Sequence, residues 1–152
     1  EFDYALWLFG KPKRIFALGG QLSNLEINAE DTASVPMECE CNGKVLPVSM
    51  TLDFLQSPPR RTCTIVGDQG SIIWDYHGKS AVLQHRSTGK TETLDFSSLE
   101  RNQLFVDELK HFLSAVKGET VPVVDIRLGH ESLKMALAAL ASIDTGEVQA
   151  LE

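Results

Sequence analysis

What the sequence lacks narrows its function before any motif is read. It has three cysteines in 152 residues. That is an odd number without framework spacing, so no disulfide scaffold is expected and a reducing compartment fits, with the cytoplasm as the expected location. No apolar run approaches the roughly 20 residues of a membrane-spanning helix, and no signal-peptide pattern opens the chain. Positive charge is scarce: Lys and Arg number 14 against 21 Asp and Glu, for a net charge of -7. The longest basic clusters, Lys11-Pro12-Lys13-Arg14 and Arg60-Arg61, are too short for a nucleic-acid footprint. Nucleic acid and anionic membrane are therefore excluded as main partners, since both reward a basic surface.

The usual chemical motifs are missing too. There is no G-x-G-x-x-G, no G-x-x-x-x-G-K-[ST], no H-E-x-x-H and no G-x-S-x-G. Gly19-Gly20 lies in a strand-like run with no helix after it, so it is no phosphate loop. Cys39 and Cys41 are spaced to share one face of a strand, which is half a metal site. A closed zinc site needs four ligands, Cys63 stands alone, and the four histidines (His77, His85, His111, His130) are scattered. No metal is expected; the cysteines read as small apolar residues on a buried face.

What is present is enough for a core: 43% of the residues are hydrophobic, in a chain the size of one ordinary domain. Residues 2–9 are apolar at helical spacing, with Gly10 and Pro12 placed to stop the helix. Residues 13–96 read as strands. Arg14 to Leu22 is a β-type run. Val35, Met37, Cys39 and Cys41 alternate with polar residues, Asn42-Gly43 gives a hairpin, and Leu46, Val48, Met50, Leu52 and Phe54 alternate on the return. After Pro58-Pro59 come four short runs, 61–66, 71–76, 81–86 and 91–96, with tight turns between them.

The tail reads as two helices. Ser97 and Glu100 have capping-box spacing. Phe105, Leu109, Phe112, Leu113 and Val116 make one stripe, ended by Gly118. Asp125 is an N-cap, and Ile126, Gly129, Leu133, Leu137, Leu140 and Ala141 make the next stripe, stopped by Gly146, with a last strand within 148–151. Segregated antiparallel strands and helices give an α+β class: an open, mostly antiparallel sheet with helices on one face.

Several polar residues are candidates. One guanidinium of Arg60-Arg61, stiffened by the prolines before it, can take a carboxylate or phosphate in a bidentate fork; solvent-exposed charge is the alternative. Asp3 lies on the first helix. Asp53, Asp75 and Asp95 fall in strand patterns, either lining a pocket or forming the polar half of the strand. His130, beside Glu131, is either a general acid/base or a solvated or capping histidine.

Five motifs in order carry a resemblance over nearly the whole chain. They are Glu1 to Gly10, Glu30-Asp31-Thr32-Ala33, Arg60/Arg61 followed by Val66-Gly67-Asp68-Gln69-Gly70-Ser71-Ile72, Asn102 to Phe112, and Asp125 to Ser142. Together they resemble the C-terminal domain of the Gfo/Idh/MocA-type oxidoreductases, which has the fold of the C-terminal domain of glyceraldehyde-3-phosphate dehydrogenase. The resemblance implies a single domain over residues 1–152 that shapes a substrate pocket and a subunit interface. It also implies a missing N-terminal Rossmann domain that binds NAD or NADP and carries the catalytic lysine. The implied reaction is hydride transfer on a sugar, nucleotide-sugar or cyclitol hydroxyl. No catalytic, cofactor-binding or metal residue is then expected in this chain; Asp3, Arg60 and Arg61 are the substrate-contact candidates. The stretches Asn24 to Ile27 and Leu52 to Arg61 look nearest to members that act on nonulosonic acids or nucleotide sugars.

Because the chain starts directly in a helix, it is expected to be cut from a longer protein. Leu151-Glu152 reads as native or as a cloning scar. Alone, the chain is expected to be inactive. A homo-oligomer through the sheet face is expected, because strands such as Leu46 to Phe54 have an apolar face and the helices cover one side only. The competing reading is a stand-alone structural, dimerisation or small-ligand-binding module without catalysis.

Overall fold

The computed structural model describes residues 1–151; of the terminal pair left open above, Glu152 lies outside the described residues. The elements run α1 (Phe2–Phe9), β1 (Arg14–Ile15), β2 (Leu18–Gly20), β3 (Thr32–Cys41), β4 (Lys44–Asp53), β5 (Thr62–Gly67), β6 (Gly70–Asp75), β7 (Ser80–His85) and β8 (Thr91–Asp95). They finish with α2 (Arg101–Val116), α3 (Ile126–Thr145) and β9 (Gln149–Ala150). All strand pairs are antiparallel. The chain divides into two compact units, one of Glu1–Leu55 with the segment from Val123 onward, the other of Gln56–Pro122. The class is α+β, with the strands gathered into two sheets rather than one.

The first unit is organised on β3. Its ten residues pair in full with β4 across Asn42-Gly43. Both loop residues have positive φ, 53° and 73°, the backbone a two-residue hairpin demands. The other edge of β3 is shared by β1 and β2. One side-chain set of β3, Val35, Met37 and Cys39, is buried, and its register partners Met50, Val48 and Leu46 lie on the same face. There α1 and α3 supply Ala5, Leu6, Met135 and Ala139 to one apolar cluster with Ile15 and Ala17. The apolar face of β4 is thus spent inside the first unit. The opposite face is polar: Arg14 pairs with Glu38 and Lys13 with Glu40. The Glu40 contact holds the Lys13 ammonium pKa above its usual value.

Two helical readings are corrected. On α3 the buried residues are Met135, Ala139 and Ser142, whereas Ile126, Leu133, Leu137 and Leu140 are exposed. Around Ala139 and Ser142 the inner face is small, which lets the helix approach the break between β1 and β2. There the Ser142 hydroxyl accepts from Ala17 N at 2.9 Å and donates to the Glu147 carbonyl at 2.7 Å. The Ser97–Glu100 capping box does not form. Asp95 takes both the amide and the hydroxyl of Ser97, and α2 starts from Glu100 without a side-chain cap. Asp125 does cap α3, accepting from the amides of Arg127 and Leu128.

In the second unit β5 to β8 form an up-and-down sheet. The Gly67–Gly70 turn needs glycine at its end: Gly70 has φ 156°, and a Cβ there would overlap the Gln84 carbonyl. Helix α2 has no buried residue, so its stripe of Phe105, Leu109, Phe112, Leu113 and Val116 faces outward.

Ser142→Ala leaves the buried Ala17 amide unpaired. It is expected to lower unfolding free energy by about 1–3 kcal/mol, read as a shifted urea midpoint with unchanged slope.

Candidate functional site

The first unit holds a cavity of about 450 Å³. Its apolar wall comes from Phe2 of α1, Val35 of β3, Leu52 of β4, and Ala139 and Ile143 of α3, with Glu30, Asp31 and Asp53 among its polar residues. The wall follows from the register: Val35 and Leu52 belong to the core-facing sets of their strands, and the small face of α3 leaves space above them.

Asp31 is the polar residue that sequence reasoning did not single out as a site. It is 1% exposed. Its carboxylate accepts from the amides of Leu22 and Ser23 and, at 2.6 Å, from the Ser23 hydroxyl. These bonds, led by the Ser23 hydroxyl, hold its pKa below the usual carboxylate range. Asp31 therefore stays ionised and ties the 21–30 loop to the start of β3. Its bonds are met by the protein, so it serves as an anchor for the cavity rim. The only sequence signal for it was its place in the Glu30 to Ala33 motif.

Asp3 is exposed, in the first turn of α1, where a negative charge suits the helix N-terminus. Phe2 lines the cavity described above and Asp3 does not. Arg60 and Arg61 belong to the second unit and are both exposed, just before β5. The Arg61 guanidinium lies 5.9 Å from the Trp74 ring centre and 5.3 Å from that of Tyr76. A cation over two rings is held in place by their faces, which fixes this Arg against the sheet. Asp53, Asp75 and Asp95 share one job: each closes the turn after its strand, accepting from the amides of Leu55, Gly78 and Ser97. His130 is exposed. Its neighbour Glu131 faces Lys11 at 3.0 Å, and that contact holds the Glu131 pKa low.

The second unit has an open cleft of about 430 Å³, lined in part by Ser71, Gln84, His85, Arg86 and Thr91. His85 is paired with Glu92 at 2.8 Å. No group of three or more His, Cys, Asp or Glu gathers for a metal among the described residues. Burial raises the pKa of the Cys39 and Cys63 thiols, which keeps them protonated. For a dinucleotide the fit is poor. Gly19 and Gly20 pair along β3 and open no helix, and Gly67 and Gly70 close a hairpin. No helix is long and apolar enough to cross a membrane among the described residues.

These features fall into place beside known proteins. The family described as "Oxidoreductase family, C-terminal alpha/beta domain", the Gfo/Idh/MocA C-terminal domain, matches residues 1–151. The chain belongs to that family. No curated protein matches it in sequence.

Among solved structures, one from Thermotoga maritima, named as an oxidoreductase, is 22% identical with a TM-score of 0.79. That match covers 99% of this chain and 44% of the other. A UDP-N-acetylglucosamine 3-dehydrogenase from Acidithiobacillus ferrooxidans is 22% identical with a TM-score of 0.76, covering 94% and 44%. The WlbA dehydrogenase from Bordetella pertussis, in complex with NADH and UDP-GlcNAcA, is 20% identical with a TM-score of 0.64, covering 99% and 42%. The chain therefore spans less than half the length of these proteins.

Asp31→Asn weakens the anchor. At pH 7 its urea midpoint is expected below that of the wild type. The lowered pKa makes the stabilisation complete above the unfolded carboxylate pKa of about 3.9. It is lost as pH falls through the lower folded value, so the two midpoints should converge in acid.

Proposed function

We propose that this chain is the C-terminal half of a cytoplasmic, NAD(P)-dependent oxidoreductase. In this reading residues 1–152 serve as one substrate-binding and assembly domain, and a Rossmann domain N-terminal to it holds NAD or NADP. The observation that carries the reading is the family match over residues 1–151, in a chain that spans 44% of the Thermotoga structure. The reaction class is reversible hydride transfer between the cofactor and a carbon bearing a hydroxyl. The substrate class is a sugar, nucleotide sugar or cyclitol. Nucleotide sugars are favoured, because two of the similar structures are named for UDP-sugar chemistry or carry a UDP-sugar.

Within this chain Asp3, Arg60 and Arg61 are the proposed substrate contacts. Arg60 offers a guanidinium for a diphosphate or carboxylate, the bidentate geometry that arginine suits. Arg61, held on two rings, stiffens the segment that presents it. The cavity of the first unit supplies an apolar wall with carboxylates near it. The chain alone has no dinucleotide loop and is inactive in this reading. It self-associates through a sheet face.

Two measurements test the proposal. Thermal-shift titration of this chain with NADH and NADPH is expected to give no saturable rise in melting temperature; a saturable rise overturns the assignment of the cofactor to another domain. The coding sequence upstream of Glu1 is expected to encode a glycine-rich strand-turn-helix and a Glu-Lys-Pro segment. An initiator Met directly before Glu1 would instead favour a stand-alone module.

A further inference from the structure

The open cleft of the second unit lies at the end of its sheet where the β5–β6 and β7–β8 turns come together. The register places Val66, Ser71, Gln84 and Thr91 in one row across all four strands, so their side chains share a face. Arg86 extends β7 by one rung, its amide donating to the Gln69 carbonyl at 2.9 Å. Two residues on from Gln84, it points to the same face as that row. Its guanidinium donates to the Gly67 carbonyl at 3.4 Å, which keeps it beside the cleft. Gly70 and Gly89 form parts of the wall without side chains.

The lining has a definite chemistry. The Ser71 hydroxyl donates to the Gln84 carboxamide oxygen at 3.3 Å, which leaves the carboxamide nitrogen as a donor. The hydroxyls of Ser71 and Thr91 can each donate and accept. Among the described residues that line the cleft none is Asp or Glu, in a chain whose net charge is -7. Glu92 follows Thr91 on β8 and so belongs to the opposite face, where it meets His85 at 2.8 Å. The cleft thus offers one guanidinium, several neutral hydrogen-bonding groups and the methyls of Val66.

We propose that this cleft binds a monosaccharide carrying one anionic group, a carboxylate or a phosphate. The anion sits on Arg86, whose planar fork matches either group in bidentate fashion. Sugar hydroxyls, each a donor and an acceptor, bond to Ser71, Gln84 and Thr91, and Val66 takes the C–H face of the ring. The cleft volume of about 430 Å³ is in the usual range for a small-molecule site. Arg61 lies five residues of extended chain before Val66, about 17 Å away. The cleft is therefore a second site, separate from the substrate contacts proposed above. It does not depend on the oxidoreductase reading, since binding alone reveals it.

Isothermal titration calorimetry of the full 152-residue chain tests this with glucuronate and glucose 6-phosphate as probes. Glucose and inorganic phosphate serve as controls. At least one of the two acids is expected to bind saturably, at least about tenfold more tightly than either control. Arg86→Gln is expected to weaken that binding at least about tenfold, the worth of a charged hydrogen bond. Thr91→Trp fills the cleft without removing a charge and is expected to weaken it as well, so the result does not hang on one variant folding. Arg60→Gln is expected to bind as the wild type does. The preferred acid identifies the anion as carboxylate or phosphate. No saturable binding of either acid overturns the proposal, and so does binding that survives both Arg86→Gln and Thr91→Trp. Inorganic phosphate binding as tightly as glucose 6-phosphate overturns the sugar assignment. Binding lost in Arg60→Gln but kept in Arg86→Gln moves the ligand to the proposed substrate contacts and overturns this site while leaving that reading standing.

Discussion

The first unit depends on β3 being paired along both edges. A strand with one free edge and a ten-residue length would be open to stray pairing. Here β4 takes one edge, and the other is divided between β1 and β2. Dividing an edge creates a gap at Phe16-Ala17, where backbone polar groups need partners inside a core. Phe16 N finds the Pro36 carbonyl, and Ala17 N finds the Ser142 hydroxyl. One buried hydroxyl on α3 thus completes a sheet edge, and the helix must come close enough to deliver it. That requirement decides which face of α3 turns inward.

The same requirement explains where the large apolar residues of α3 lie. Ala139 and Ser142 are small, so they permit an approach that a leucine at either position would block. Leu133 and Leu137 stay exposed, and the stripe of α2 is likewise uncovered. An apolar stripe of this size on a free-standing domain signals surface made to be covered. That agrees with a chain spanning less than half the length of its structural relatives.

Function follows a similar division. Family membership places the chain among oxidoreductase C-terminal domains, while the residues described above are anchors and walls. Asp31 is ionised and fully hydrogen-bonded, Arg61 is stacked on two rings, and Asp53, Asp75 and Asp95 close turns. A group whose bonding is satisfied by its own fold has little left for proton transfer. That is consistent with the proposal above, in which this domain positions a substrate and the chemistry is done from elsewhere.

Much of this was legible in the sequence. The Asn42-Gly43 hairpin, the alternation of β3 and β4, the Asp125 cap and the glycines that stop α1 and α3 each depend on local backbone chemistry, which a few adjacent residues specify. The ordered motifs from Glu1 to Ser142 carried the family for the same reason. The failures were all choices between competing partners. Ser97 had the spacing of a cap, but Asp95 reached it first. The leucines of α3 had the stronger stripe, but Ser142 had a strand edge to complete. Asp31 stood in the sequence only as part of the Glu30 to Ala33 motif; its bonds to Leu22 and Ser23 form when the 21–30 loop folds onto it. Local sequence determined which elements form and where they end. Only the tertiary structure decided which face of each is buried and which polar groups are already spent, because that depends on distances between residues far apart in the chain.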